Sequence, residues 1–232
     1  NNFVENIALI LSENGIWNLE QSYMPSMLRT NSYDTICHEH LEYYSLIVIK
    51  NLLERNKLRI LDVIFNKING GSFSITVCHK NAPYLSNHSI INWMLNQEKR
   101  MGLDTPTPYR KFENRAFSHR SDLKELIKSI KNSGGKIGGY GASTKGNVIL
   151  QFCGLNSNDL YGIAEVNEDK FGKYTPGSKI PIQSESVIKK ENPDYLLVLP
   201  WHFREGIIKR EEEYLRKGGK LIFPLPEIEI VG

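Results

Sequence analysis

Cysteine is scarce in this chain, and its scarcity excludes a good deal. Three of the 232 residues are cysteine, Cys37, Cys78 and Cys153, and none forms a paired CxxC. That excludes a disulfide-stapled scaffold and a cysteine-built zinc ribbon, and it fits reduced thiols in a cytoplasm. No apolar run approaches the roughly 18 to 20 residues that a membrane-spanning helix needs. No basic n-region followed by an apolar core marks a secretion signal. Lys and Arg exceed Asp and Glu by only three. They are scattered rather than clustered, which argues against a dedicated nucleic-acid binder while leaving enough local cations for a small anionic ligand. There is no internal repeat and no low-complexity tract. The apolar fraction of 40% is compatible with a globular core.

What is present is concentrated. The run Tyr33-Asp34-Thr35-Ile36-Cys37-His38-Glu39-His40-Leu41-Glu42-Tyr43-Tyr44 gathers two imidazoles, a thiol, carboxylates and three phenols with almost no aliphatic filler. Histidine beside a carboxylate is the usual means of moving a proton near neutral pH. A polar surface turn is the competing reading of the same composition. His38 and His40 would share one face of an extended segment, but no third or fourth ligand stands at a matching spacing, so no metal site is assigned.

Periodicity outlines the rest. Helices are expected over Asn2–Ser12, Ser45–Asn56, Ser86–Gly102 (with Ser86 as its cap) and Tyr109–Ser133, with strands over Gly15–Glu20, Arg59–Ile68 and Ser72–His79. Asn69-Gly70-Gly71 is a hairpin signal, and Asp104-Thr105-Pro106-Thr107-Pro108 reads as a linker. From Lys136 strands and helices alternate. The strands are Lys136–Tyr140, Tyr161–Glu165, Tyr195–Leu199 and Lys220–Phe223; the helices are Lys145–Cys153, Ser184–Glu191 and Phe203–Lys217. Apolar strands separated by helices specify a parallel sheet covered on both faces.

Within that alternation, Gly138-Gly139-Tyr140-Gly141-Ala142-Ser143-Thr144-Lys145-Gly146 joins a strand to a helix. Small residues let a ligand approach the backbone, and a helix N-terminus attracts anions. Ser143 and Lys145 add a hydroxyl and an ammonium suited to a pyrophosphate. The dinucleotide fingerprint is incomplete because Thr144 stands where a third glycine would be, and the Walker spacing fails. A tight turn without a ligand is the alternative.

These pieces together resemble the sugar C-methyltransferases, which use S-adenosylmethionine to methylate carbon 3 of nucleotide-linked keto-deoxysugars. The resemblance is carried by YDTICHEHLEYYS (Tyr33 to Ser45), Gly70-Gly71-Ser72-Phe73, GGYGASTKGN (Gly138 to Asn147), EVNEDKFGKYTPGSKIPI (Glu165 to Ile182) and NPDYLLVLPWHFREGII (Asn192 to Ile208). It implies that His40 is the base removing the proton alpha to the sugar ketone and that Glu39 assists it. Cys37 stands where members of that family carry a tyrosine, and His202 where they carry an asparagine. It also implies that the C-terminal domain binds the nucleotide-sugar, with Tyr140, Gly141, Ser143, Lys145, Asn167, Lys170 and His202 as the contacting residues. The family's cysteine-rich zinc domain and its glycine-rich donor loop have no counterpart in these residues. The expectation is therefore the C-terminal part of a longer enzyme. Residues 1–85 would end a methyltransferase Rossmann-like domain, and 86–232 would form a helical connection and a doubly wound Rossmann-like domain. S-adenosylmethionine and zinc would be held by the missing N-terminal part of the same chain. A nicotinamide-dependent oxidoreductase and a non-catalytic nucleotide-sugar-binding module are the alternatives.

Overall fold

The computed structural model describes residues 2–66 and 71–232. The chain divides into two units, Asn1–Thr30 with Glu42–Phe112, and Asn31–Leu41 with Glu113–Gly232. The histidine-rich segment is thus lifted out of the sequence run on either side of it and belongs to the second unit.

The first unit contains α1 (Asn2–Ile10), β1 (Ile16–Ser22), α2 (Met24–Arg29), α3 (Leu46–Arg55), β2 (Leu58–Asn66), β3 (Ser72–His79) and α4 (His88–Met101). Its sheet has the order β1-β3-β2, and β3 is antiparallel to both neighbours. The hairpin residues Asn69 and Gly70 lie outside the described residues. Alternation along β3 turns Phe73, Ile75 and Val77 into the core, where none is exposed. Leu46, Ile49 and Leu53 of α3 cover them at helical spacing. The pairing of β2 with β3 shifts between Ile60 and Asp62, a bulge that lets Leu61 bury beside Cys78 and Ala82.

Two local expectations are corrected here. Ser86 is not the cap of α4; its hydroxyl donates to the Ile60 carbonyl, while the Asn87 side chain accepts from the Ile90 amide. The residues expected as a linker at 104–108 are partly helical, because α5 (Thr107–Asn132) already begins at Thr107. Helix α2 was not expected.

The second unit is built on a six-stranded sheet: β4 (Ile137–Tyr140), β5 (Ile163–Glu165), β6 (Ile182–Ser184), β7 (Tyr195–Val198), β8 (Lys220–Phe223) and β9 (Glu229–Val231), in the order β6-β5-β4-β7-β8-β9. All neighbours are parallel except β9, which is antiparallel to β8. This is the doubly wound, Rossmann-like α/β arrangement. The chain proceeds outward from β4 to β6, then returns to the other side of β4 with β7. Right-handed crossovers then set α6 (Thr144–Phe152) on one face of the sheet, and α7 (Glu185–Lys190), α8 (Arg204–Arg210) and α9 (Glu212–Arg216) on the other. Such a reversal opens a crevice at the strand ends beside β4 and β7.

The long helix expected over Phe203–Lys217 is a 3₁₀ turn at Trp201–Phe203 followed by α8 and α9, broken at Glu211. The Glu211 carboxylate turns inward, accepting from the Tyr140 hydroxyl at 3.1 Å and from Lys189 at 2.7 Å. Strands β6 and β9 are too short to show a period. Among the described residues, no helix is long and apolar enough to cross a membrane.

One buried carboxylate organises the first unit. Ser45 precedes α3 without capping it. Glu98 of α4, only 2% exposed, instead accepts from the Leu46 amide (2.6 Å), the Ile47 amide (2.9 Å) and the Tyr23 hydroxyl (2.9 Å). Burial, together with Glu98's charge, holds the Tyr23 phenol protonated. Glu98→Ala should destabilise the first unit by about 3 kcal/mol or more, because two buried donors and one part-buried donor lose their shared acceptor. Glu98→Gln should cost less. Urea unfolding followed through Trp17 and Trp93 measures both.

Candidate functional site

The second unit brings three elements together: the segment 31–41, the turn from β4 into α6, and the 3₁₀ turn after β7. At the end of β4, Gly141 adopts φ 80°, and a Cβ there would meet Pro200 at 2.8 Å. A Cβ on Gly146 would lie 2.7 Å from that of Leu199. Both glycines are therefore required for close packing of the turn and helix on the loop after β7. Ser143 caps α6, its hydroxyl accepting from the Gly146 amide at 3.0 Å. This leaves Lys145 in the first turn of α6, within electrostatic reach of Asp34 and Cys37 on the 31–41 segment.

That segment is held at several points. A 3₁₀ turn, Tyr33–Thr35, packs on α6, with the Tyr33 ring 4.9 Å from that of Phe152. The His119 Nε2–H donates to the Pro224 carbonyl, so its Nδ1 is left to accept from the Tyr33 hydroxyl at 3.0 Å. Asp34, with no exposed surface, accepts from the Trp201 indole N–H at 2.8 Å. Further on, the Thr144 hydroxyl donates to Glu39 at 3.4 Å, and the His40 amide closes a turn on the Cys37 carbonyl at 3.0 Å. His40 is half-buried, while His38 and Glu39 are exposed.

Lys145 sits at the electrical centre of this arrangement. Burial pushes its ammonium below the usual lysine range, and the charges of Asp34 and Cys37 oppose that. Burial raises the Asp34 carboxyl, opposed by the Trp201 hydrogen bond and by Lys145. His202 is pushed down to about 4, by burial first and by Lys145 second, so it is neutral at ordinary pH. The buried side-chain atoms without a hydrogen-bond partner among the described residues are Asn31 Oδ1, Asp34 Oδ1, Asn147 Oδ1 and His202 Nδ1. All four belong to the three elements of this site. Unmet polar atoms are rare in folded interiors, and their concentration here makes this the candidate site.

Beside it lies a crevice of about 350 Å³ at the strand ends, lined in part by Tyr140, Gly141, Ser143, Glu165, Lys170 and Arg210. Its floor is already in use. Glu165, the last residue of β5, accepts from the amides of Ala142 (2.9 Å), Val166 (2.8 Å) and Asn167 (3.1 Å), and from Lys170 at 3.2 Å. These donors hold its carboxyl below the usual range in spite of burial. Lys170 also donates to the Ala142 carbonyl at 2.7 Å, and the Asn167 side chain caps the turn that follows β5.

The residues singled out from sequence thus fall into two groups. Cys37, Glu39, Lys145 and His202 lie in the segment–helix cluster, with His40 on the same segment. Tyr140, Gly141, Ser143 and Lys170 line the crevice, with Asn167 at the turn beside it. Sequence reasoning did not single out Asp34, Trp201 or His119. Asp34 lies inside the polar run and Trp201 next to His202, but nothing in a linear sequence pairs residues 167 positions apart.

With the geometry in place, comparison with known proteins defines the class. Residues 67–226 match the family described as "C-methyltransferase C-terminal domain", and the chain belongs to that family. A relative, the C-methyltransferase NovU of Streptomyces niveus, is 33% identical over 228 residues. The match takes in 97% of this chain and 53% of NovU, so the chain spans about half the length of that relative.

His119 and His202 are both held below the ordinary histidine value of 6.5. The unfolded chain therefore binds protons that the folded chain resists. Stability should be full above about pH 6.5 and should decline as pH falls toward 4. His119→Asn and His202→Asn should each flatten that decline relative to the parent in urea-unfolding midpoints measured from pH 7.5 to 4.

Proposed function

We propose that this chain supplies the proton-abstracting and nucleotide-sugar-binding part of a C-methyltransferase acting on a nucleotide-linked keto-deoxysugar. The observation that carries the proposal is the capture of the 31–41 segment by the Rossmann-like unit. It puts Glu39 at the start of α6 and brings Cys37 within the field of Lys145, in a chain of the C-methyltransferase family. In this reading His40 takes the proton from the carbon alpha to the ketone, and the C–H electron pair moves into the carbonyl to give an enolate. Glu39 assists, and Cys37 takes the place of the family's tyrosine beside them. S-adenosylmethionine, bound outside this chain, supplies the methyl group that the enolate carbon takes up.

The strand-end crevice does not fit that cofactor, nor a dinucleotide. The acid that would meet a ribose, Glu165, has its oxygens engaged by three amides and an ammonium, and the Ala142 amide that would face a phosphate is bonded to it. This weighs against the oxidoreductase reading and favours donor binding by an N-terminal part, the same part to which a zinc site is ascribed. The first unit then forms the end of the donor-binding domain, and the location is cytoplasmic. The substrate's pyrophosphate is placed beside Lys145, with Lys170 and Asn167 at the crevice edge and His202 contacting the nucleotide-sugar.

Two measurements test this. His40→Gln should abolish exchange of the sugar's alpha proton with solvent deuterium while nucleotide-sugar binding changes little, and His38→Gln should be milder. Undiminished exchange in His40→Gln would remove the assignment, and exchange absent from the parent enzyme would favour a binding module. Lys145→Ala should weaken nucleotide-sugar binding about ten- to a hundred-fold in calorimetry, since a charge-assisted hydrogen bond contributes roughly 1.5 to 3 kcal/mol. Lys131→Ala, which breaks only a surface pair with Asp159, should bind normally.

A further inference from the structure

Asp34 is a costly residue in its position. It has no exposed surface; Oδ2 accepts from the Trp201 indole, the Asp34 and Thr35 amides add backbone support to the carboxylate, and Oδ1 has no close hydrogen-bond partner among the described residues. An anchor for an indole N–H needs only a neutral acceptor, and a buried ionised carboxylate is unfavourable unless an opposite charge is near. The cation present is Lys145, on the first turn of α6, against which the Tyr33–Thr35 turn packs. Among the described residues, Tyr33 and Cys37 on the same segment, and His202 from the turn after β7, are the other titratable groups coupled to this pair.

We propose that Asp34 is a positioning residue with two connected tasks: through Trp201 it fixes the segment carrying Glu39 and His40 against α6, and from the turn packed on that helix its carboxylate serves as the counter-charge to Lys145. Only the purpose of that charge, holding the anionic substrate, rests on the proposed function; the coupling itself does not. The neutral His202 fits the same account. A second cation beside Lys145 would cancel what Asp34 supplies, and burial next to an ammonium keeps the imidazole uncharged.

The coupling is measurable without substrate. In the 232-residue chain, the pH dependence of Lys145 acylation by acetic anhydride, read on its peptide by mass spectrometry, gives the midpoint of that lysine alone. Asp34→Asn retains an acceptor for the indole and removes the charge. The Lys145 midpoint should fall by about one pH unit or more, while that of Lys131 stays put. The reciprocal variant, Lys145→Met in a background with Trp17→Phe and Trp93→Phe, should raise the pH at which Trp201 emission responds to Asp34 by a similar amount. Trp201→Phe should accelerate amide exchange across residues 31–41 by roughly tenfold or more. A Lys145 midpoint unmoved in Asp34→Asn overturns the electrostatic task; if that variant does not fold, an unmoved Trp201 transition in Lys145→Met does so. Unchanged exchange in Trp201→Phe overturns the anchoring task. None of these measurements uses nucleotide-sugar or methyl donor, so their failure and a failure of the alpha-proton assignment are separate results.

Discussion

The hydrogen bond from the Trp201 indole to Asp34 is the constraint on which the site depends. It joins residues 167 positions apart and sits where no water competes. Local propensity does not hold the 31–41 segment: it has one three-residue 3₁₀ turn, and its flanking residues belong to the first unit. Tertiary contacts hold it instead, from Asp34 to Trp201, from Tyr33 to His119 and Phe152, and from Glu39 to Thr144. The proposed reaction would need such support, because small displacements are expensive in proton transfer.

Two carboxylates elsewhere show the same physics put to structural use. Glu98 satisfies the start of α3 from another helix, and Glu165 satisfies the amides at the end of β5 and at the β4–α6 turn. In each case an anion meets backbone N–H groups that secondary structure leaves unpaired. The Glu165 case changes the functional reading. A glycine-rich strand-to-helix turn ordinarily suggests a phosphate cradle, yet here Gly141 and Gly146 make room for Pro200 and Leu199, and a side chain occupies the amide. The doubly wound fold survives while the amide and the carboxylate that a dinucleotide would meet in its crevice are bonded to each other.

Sequence alone determined the class of fold and singled out the segment that carries the candidate base. Alternating strands and helices after Lys136 encode the parallel sheet, because burial on both faces demands apolar strands, and the order of the motifs carried the family resemblance that the match over residues 67–226 shows. The polar run at 33–44 stood out because titratable groups are seldom spent on a structural segment. Only the tertiary structure decided which of those groups matter to one another. It moved the cap of α4 from Ser86 to Asn87, broke the last long helix where Glu211 turns toward Tyr140 and Lys189, and gave Asp34 its buried place against the Trp201 indole. The physical reason is common to all three. A side chain's hydrogen-bond partners and its charge environment are set by what folding brings beside it, and for a buried polar group those neighbours come from distant parts of the chain.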